Sequence, residues 1–328
     1  MIEHLTIRNF KSVKEVNIRC KKLNIFIGEP NSGKSNILEA LALQSQNALT
    51  GGELNRNIFR YKTVSELFYD FDLSEGIHVN HNEKSTELKF SANSSQTSNK
   101  FLFFLDEKDD AENPFATIEH DGKVHEQKGD GTTNVHFYEY KRITQFEQSF
   151  MPHLKVPHGE NMPTLLMSYP KLKKWVSEFI RDQGLTLTLK PHEYDMVISK
   201  FVDDELYSFP YLTLSETLQR IIFYILVLKT NNNNIIILDE PESNTFPFYT
   251  KYLSEQIALD ESNQFFISTH NPYLLLSLIE KSKYDNLCIC MTRLKNYQTQ
   301  AIELNQEQIS MILDFNSDVF FNFDKIID

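Results

Sequence analysis

Apolar and polar positions alternate over Leu5 and Ile7, and again over Val13, Val16 and Ile18, the pattern of half-buried strands. Leu23 to Ile27 forms a short buried strand that stops at Gly28. This gives two edge strands leading into one central strand. From Gly33 the period becomes helical, with Ile37, Leu38, Leu41 and Ala42 on one face. Residues 64 to 140 break into short stretches of strand character at 67–72, 76–79, 87–90, 101–105, 116–120, 123–126 and 135–140. Asp121-Gly122 predicts a two-residue hairpin turn, whose central positions both take positive φ. Polar stretches 91–100 and 106–113 read as connections.

An antiparallel subdomain is therefore expected over 64–142. Helical stretches follow over 143–209, clearest at 171–182 and broken by Pro152, Pro157, Pro163, Pro170 and Pro191. Beyond Pro210, helices at 215–229, 248–259 and 272–280 alternate with strands at 235–238, 264–268 and 286–291. Such alternation predicts a mainly parallel α/β core sheet with right-handed crossovers. The chain then divides into 1–63 and 210–328 as two parts of one core, with the antiparallel block and a helical insertion between them.

Composition narrows the setting. At 328 residues, 41% of them hydrophobic, the chain can bury a sizeable core. Its longest apolar run, Ile221 to Leu228, is far shorter than the ~20 residues that cross a bilayer. Arg8, Lys11 and Lys14 interrupt the first fifteen residues, where an export leader would be apolar. A cytoplasmic protein with no membrane partner is expected. Cys20, Cys288 and Cys290 supply neither a disulfide framework nor a complete zinc site, and read as reduced packing residues. A net charge of -12 opposes general adhesion to nucleic acid, so any such contact needs a local basic stripe.

Gly28-Glu29-Pro30-Asn31-Ser32-Gly33-Lys34-Ser35 fits the phosphate-binding P-loop pattern between a buried strand and a helix. Its glycines turn backbone N–H groups toward phosphates, Lys34 reaches the outer phosphates and Ser35 is a ligand for Mg2+. Asn36, the next residue of the helix start, is expected to contact the nucleotide with them. Asn234 to Leu238 is a strand ending in Asp239-Glu240, at the sheet edge where open α/β sheets place ligands. Asp239 would hold Mg2+ through water and Glu240 would polarise the attacking water. One strand later, Thr269-His270 ends Phe265 to Ser268, which brings His270 to the same edge to touch a terminal phosphate. Mg-ATP is the expected cofactor.

P-loop, Leu214-Ser215 helix start, Leu238-Asp239-Glu240-Pro241-Glu242 and Ser268-Thr269-His270, in this order, resemble the ABC-type ATPase heads of the SMC, RecF and OLD group. The likeness extends to bacterial AAA family ATPases found near phage-defence genes, and to the opening Leu5 to Ser12. It is specific over 1–45 and 210–292. The resemblance implies a head-to-tail homodimer in which Ser215 of one subunit caps the ATP of the other. Glu216-Thr217 stands where transporters carry two glycines, and Thr213 with Glu216 is alternatively a capping box. The resemblance also implies that Arg8 and Lys11 touch base or phosphate, that Glu242 and Asn244 cross the dimer seam, and that a glutamine senses Mg2+. Gln145 is the candidate for that glutamine.

OLD-type proteins append a nuclease domain, and no stretch after His270 has room for one, so a separate effector is expected to act in trans. The alternative is a RecF-like clamp on DNA. A transporter subunit fits less well, because both the glycines and a clear sensor glutamine are missing.

Overall fold

The computed structural model describes residues 1–45, 47–82, 84–92, 100–105, 113–128 and 133–327. Most of the two polar connections expected at 91–100 and 106–113 lies outside the described residues. Strands β1 (His4–Phe10) and β2 (Val13–Arg19) form a hairpin, and β3 (Leu23–Gly28) runs into helix α1 (Lys34–Ala42). The short pair β4 (Leu49–Thr50) and β5 (Glu53–Leu54) precedes β6 (Ile77–His81), β7 (Lys84–Ser91), β8 (Lys100–Phe104), β9 (Ala116–Glu119) and β10 (Val124–Gln127). Next come β11 (Val135–Tyr138), α2 (Met162–Ser168), α3 (Pro170–Arg181), β12 (Thr186–Lys190), β13 (Asp195–Val202) and β14 (Glu205–Pro210). The last part alternates α4 (Glu216–Thr230), β15 (Ile235–Asp239), α5 (Pro247–Leu259), β16 (Gln264–Ser268), α6 (Pro272–Lys281) and β17 (Leu287–Lys295). It closes with β18 (Gln298–Glu303), α7 (Gln306–Phe315) and α8 (Phe323–Ile327).

The central layer is a six-stranded sheet in the order β11-β15-β16-β3-β17-β18, parallel except for β18. Successive side chains of a strand point to opposite faces, and this sheet is covered on both. Ile25, Ile27, Ile236, Leu238, Phe265 and Ile267 pack toward α4, α5 and α6 in one core. Phe26, Ile235, Ile237, Phe266, Cys288 and Cys290 face a second core built with α1 and a seven-stranded antiparallel sheet. That sheet runs β10-β9-β8-β7-β6-β1-β2. Three layers result, a mixed α/β P-loop architecture, and the buried cysteines are apolar filling of the second core, unbridged.

Several expectations need correction. β1 is interior to the antiparallel sheet, paired with β6 as well as β2, and of these two strands β2 alone is an edge. Residues 67–72 are not a strand: Val64–Leu67 and Tyr69–Phe71 are 3-10 turns, with Asp70 and Phe71 at φ 48 and 59. In the β9–β10 hairpin only Gly122 has positive φ, at 95, so the connection is a turn plus a bulge and not a two-residue loop. β11, assigned to the antiparallel block from its sequence position, joins the parallel sheet beside β15.

The stretch expected to be helical holds α2 and α3 and also an antiparallel sheet, β12-β13-β14. Thr186-Leu187-Thr188-Leu189 alternates with period two, and Asp203-Asp204 turns the chain with φ 49 and 65. No helix among the described residues is long and apolar enough to cross a membrane.

Candidate nucleotide-binding site

Parallel register carries the ends of three strands to one edge. Asp239 lies opposite Ser268, Ser268 opposite Phe26, and β3 then opens into the loop 28–35. The cleft at this edge encloses about 430 Å³ between that loop, Glu240 and His270. Lys34 is only 4% exposed, and its ammonium donates to the carbonyls of Gly28 and Glu29 at 3.0 and 2.9 Å. Burial lowers its pKa to about 8, opposed by the charges of Glu240 and Asp239. Lys34 is therefore a cation kept at low solvation, which strengthens its attraction for phosphate oxygens.

The Ser35 hydroxyl donates to Asp239 Oδ1 at 3.1 Å, and the Ser268 hydroxyl donates to the same oxygen. Glu240 sits at φ 45, its N–H donating to Ser268 Oγ at 3.0 Å. His270 Nε2 stands 3.1 Å from Glu240 Oε1, and the Ser243 hydroxyl meets Oε2 at 3.2 Å. The His270 hydrogen bond holds the Glu240 carboxyl below its ordinary pKa against burial, so it is a carboxylate near neutrality.

Among the described residues no three His, Cys, Asp or Glu side chains converge as a metal cage. The Ser35–Asp239 pair fits Mg2+ instead, an ion that takes one or two protein ligands and completes its shell with water and substrate phosphates.

Pro30, Asn31, Gly33, Lys34, Ser35 and Asn36 all line the cleft, while Gly28 and Ser32 are buried behind it. Both loop glycines are sterically required. A Cβ on Gly28 (φ 152) would lie 2.2 Å from the Thr292 carbonyl, and one on Gly33 (φ 95) 1.9 Å from Thr299 Oγ1. Thr292 and Thr299 belong to the β17–β18 hairpin, which braces the loop: Thr292 Oγ1 is 2.6 Å from Ser32 Oγ and 3.1 Å from the Ile27 carbonyl.

Other predicted residues lie elsewhere. Arg8 is exposed and paired with Glu15 at 3.0 Å, away from the cleft lining. Lys11 is paired with buried Glu39 of α1, which also holds Arg60 at 2.5 Å. A buried carboxylate must be neutralised, and Lys11 is committed to that pair beside Arg60. Ser215 is exposed and caps α4, accepting from the Leu218 N–H at 3.4 Å. No capping box forms there: the Thr213 hydroxyl donates to the Pro210 carbonyl and Glu216 pairs with Arg220. Gln145 is exposed and absent from the cleft. Glu139, one residue past β11 and raised in pKa by burial and then by Asp239, stands at that edge instead.

Glu242 was expected at an outer seam, yet it is 4% exposed and turned inward. Its Oε1 accepts from the Thr269 hydroxyl and from the His270 N–H at 3.3 Å, while Oε2 has no partner. Burial raises its pKa to about 7. Sequence reading also missed Arg60, Leu294 and Tyr297, which line the cleft from segments with no motif of their own.

Fold and site define a class: the chain has the P-loop NTPase fold, in the layered arrangement of SMC heads, with the P-loop lining a cleft at the strand edge. Residues 1–161 match the family described as "AAA ATPase domain", and residues 128–277 match "AAA domain, putative AbiEii toxin, Type IV TA system". Among curated proteins it is similar to an ATP/GTP phosphatase of Helicobacter pylori, 36% identical over 110 residues. That match covers 29% of this chain and spans 30% of the relative's length. Among solved structures it is similar to an SMC head bound to the C-terminal winged-helix domain of ScpA, with a TM-score of 0.53 and 13% identity. The superposition covers 94% of this chain and 99% of that one, and at this identity it shows the fold.

Proposed function

We propose that the chain binds Mg-ATP in this cleft and hydrolyses it to ADP and phosphate. The observation that carries this reading is the convergence, in one cleft, of Lys34 with two contacts: Ser35 to Asp239 and His270 to Glu240, each at 3.1 Å. Lys34 would hold the outer phosphates and leave the loop carbonyls it now contacts. Mg2+, held by Ser35 and Asp239, would neutralise charge on the phosphate oxygens as the terminal bond breaks. Glu240, an ionised carboxylate, would accept a proton of the attacking water by hydrogen bond and orient it in line with that bond. His270 would fix the Glu240 carboxyl and donate to the terminal phosphate.

In the same reading, ATP draws two copies together head to tail, and closure changes how a separate effector is held or released in anti-phage defence. Three features support it. Ser215 is exposed at the start of α4, the Thr217 hydroxyl reaches the Asn244 carbonyl at 3.4 Å, and Phe246 and Phe248 beyond that loop are 65% and 68% exposed. The family match whose description includes a toxin–antitoxin system supports a defence role.

The test is Glu240→Gln. It should bind ATP as the parent does, lose turnover by 100-fold or more on the order expected for removal of a general base, and double in mass by light scattering when ATP is added. Retained turnover would refute the catalytic assignment, and a monomer with ATP bound would refute the paired state.

A further inference from the structure

The P-loop accounts for a triphosphate and leaves open what holds the base. The β17–β18 hairpin reverses between Lys295 and Gln298 through Asn296 and Tyr297, at φ 52 and 61. This is a two-residue hairpin turn with both central residues left-handed, where the second position is ordinarily glycine. A bulky aromatic there is strained. The same Tyr297 is 84% exposed and lines the cleft, with Leu294 beside it as the other apolar side chain of that wall. Backbone strain of this kind clusters at active sites and ligand clamps.

The polar groups on this wall are engaged with one another. Asn36 donates to Ser12 Oγ at 2.7 Å, Ser12 Oγ is 2.7 Å from Thr299 Oγ1, and Arg60 is held by Glu39. Thr299 also abuts Gly33, so the hairpin is fixed to the P-loop at a set height. The geometry points to Tyr297 as a stacking platform for the nucleotide base, with Leu294 extending it. The site then takes purine nucleoside triphosphates by the face of the base and reads its edge weakly. This assignment rests on the cleft being the nucleotide site.

The experiment compares the parent protein with Tyr297→Ala and Tyr297→Phe, using ATP, GTP, CTP and inorganic tripolyphosphate as probes of affinity. Loss of one base–aromatic stack weakens binding about ten-fold. Tyr297→Ala should lose that factor for ATP and GTP, with kcat retained and tripolyphosphate affinity unchanged. Tyr297→Phe should restore the parent values, and ATP and GTP should bind the parent within about three-fold of each other.

Equal weakening of tripolyphosphate would mean that the hairpin merely shapes the loop, and would overturn the assignment. So would unchanged ATP affinity combined with loss of ATP-dependent pairing, which would move Tyr297 to the seam between two copies. An ATP preference over GTP above ten-fold that survives Tyr297→Ala would overturn it as well. Failure of the nucleotide-site reading shows separately, as ATP affinity that does not depend on Lys34.

Discussion

Glu242 illustrates how one side chain can connect two loops. Its carboxyl accepts from both Thr269 and His270, so the loop that follows Glu240 and the loop that carries His270 are tied behind the cleft. Burial raises its folded pKa to about 7 from an ordinary 4.5. The folded state therefore keeps this proton at pH values where the unfolded chain has released it. Stability from this group is full below pH 4.5 and falls as pH rises toward 7, by about 3 kcal/mol in all.

Glu242→Gln cannot titrate and keeps an oxygen for both donors. Relative to the parent it should gain about 2–3 kcal/mol of stability between pH 5 and pH 8, read from urea unfolding at the two values. Parallel stability at both pH values would contradict the buried, proton-retaining carboxyl.

At the scale of elements, the P-loop is held by the hairpin that follows it in the sheet as much as by its own sequence. Gly33→Ala places a methyl against Thr299, whereas Gly51→Ala, also at positive φ (59), meets nothing within 4 Å. Gly51→Ala should cost about 1 kcal/mol, the conformational penalty alone. Gly33→Ala should cost about 2–4 kcal/mol, since strain and a backbone shift add. Thermal unfolding of the two variants checks this, and equal losses would remove the bracing role of the hairpin.

The elements legible in the sequence are those where local signals agree. β3 with α1, and the strands ending at Asp239 and Ser268, combine apolar runs with motif residues at their ends. The β12–β14 sheet was hidden by its helical neighbour α3 and by scattered prolines. Lys11, Arg60 and Tyr297 were not legible because their positions depend on partners far along the chain: Glu39 for the first two, and the β1–β2 turn at Ser12 for the hairpin.

For the whole molecule, a mainly parallel central sheet lies between a helical layer and an antiparallel sheet, and in the proposed paired state another copy would meet the edge that carries the P-loop. With a net charge of -12, a closed pair would repel the DNA backbone outside any local basic stripe, which favours a protein effector. All of this depends on the triphosphate being gripped by the loop at Lys34. Titration calorimetry of Mg-ATP into the parent protein and into Lys34→Ala tests that claim directly. Saturable one-site binding to the parent, with no measurable heat for the variant while its fold by circular dichroism is intact, is the predicted result. Equal affinity for the two proteins would contradict the account.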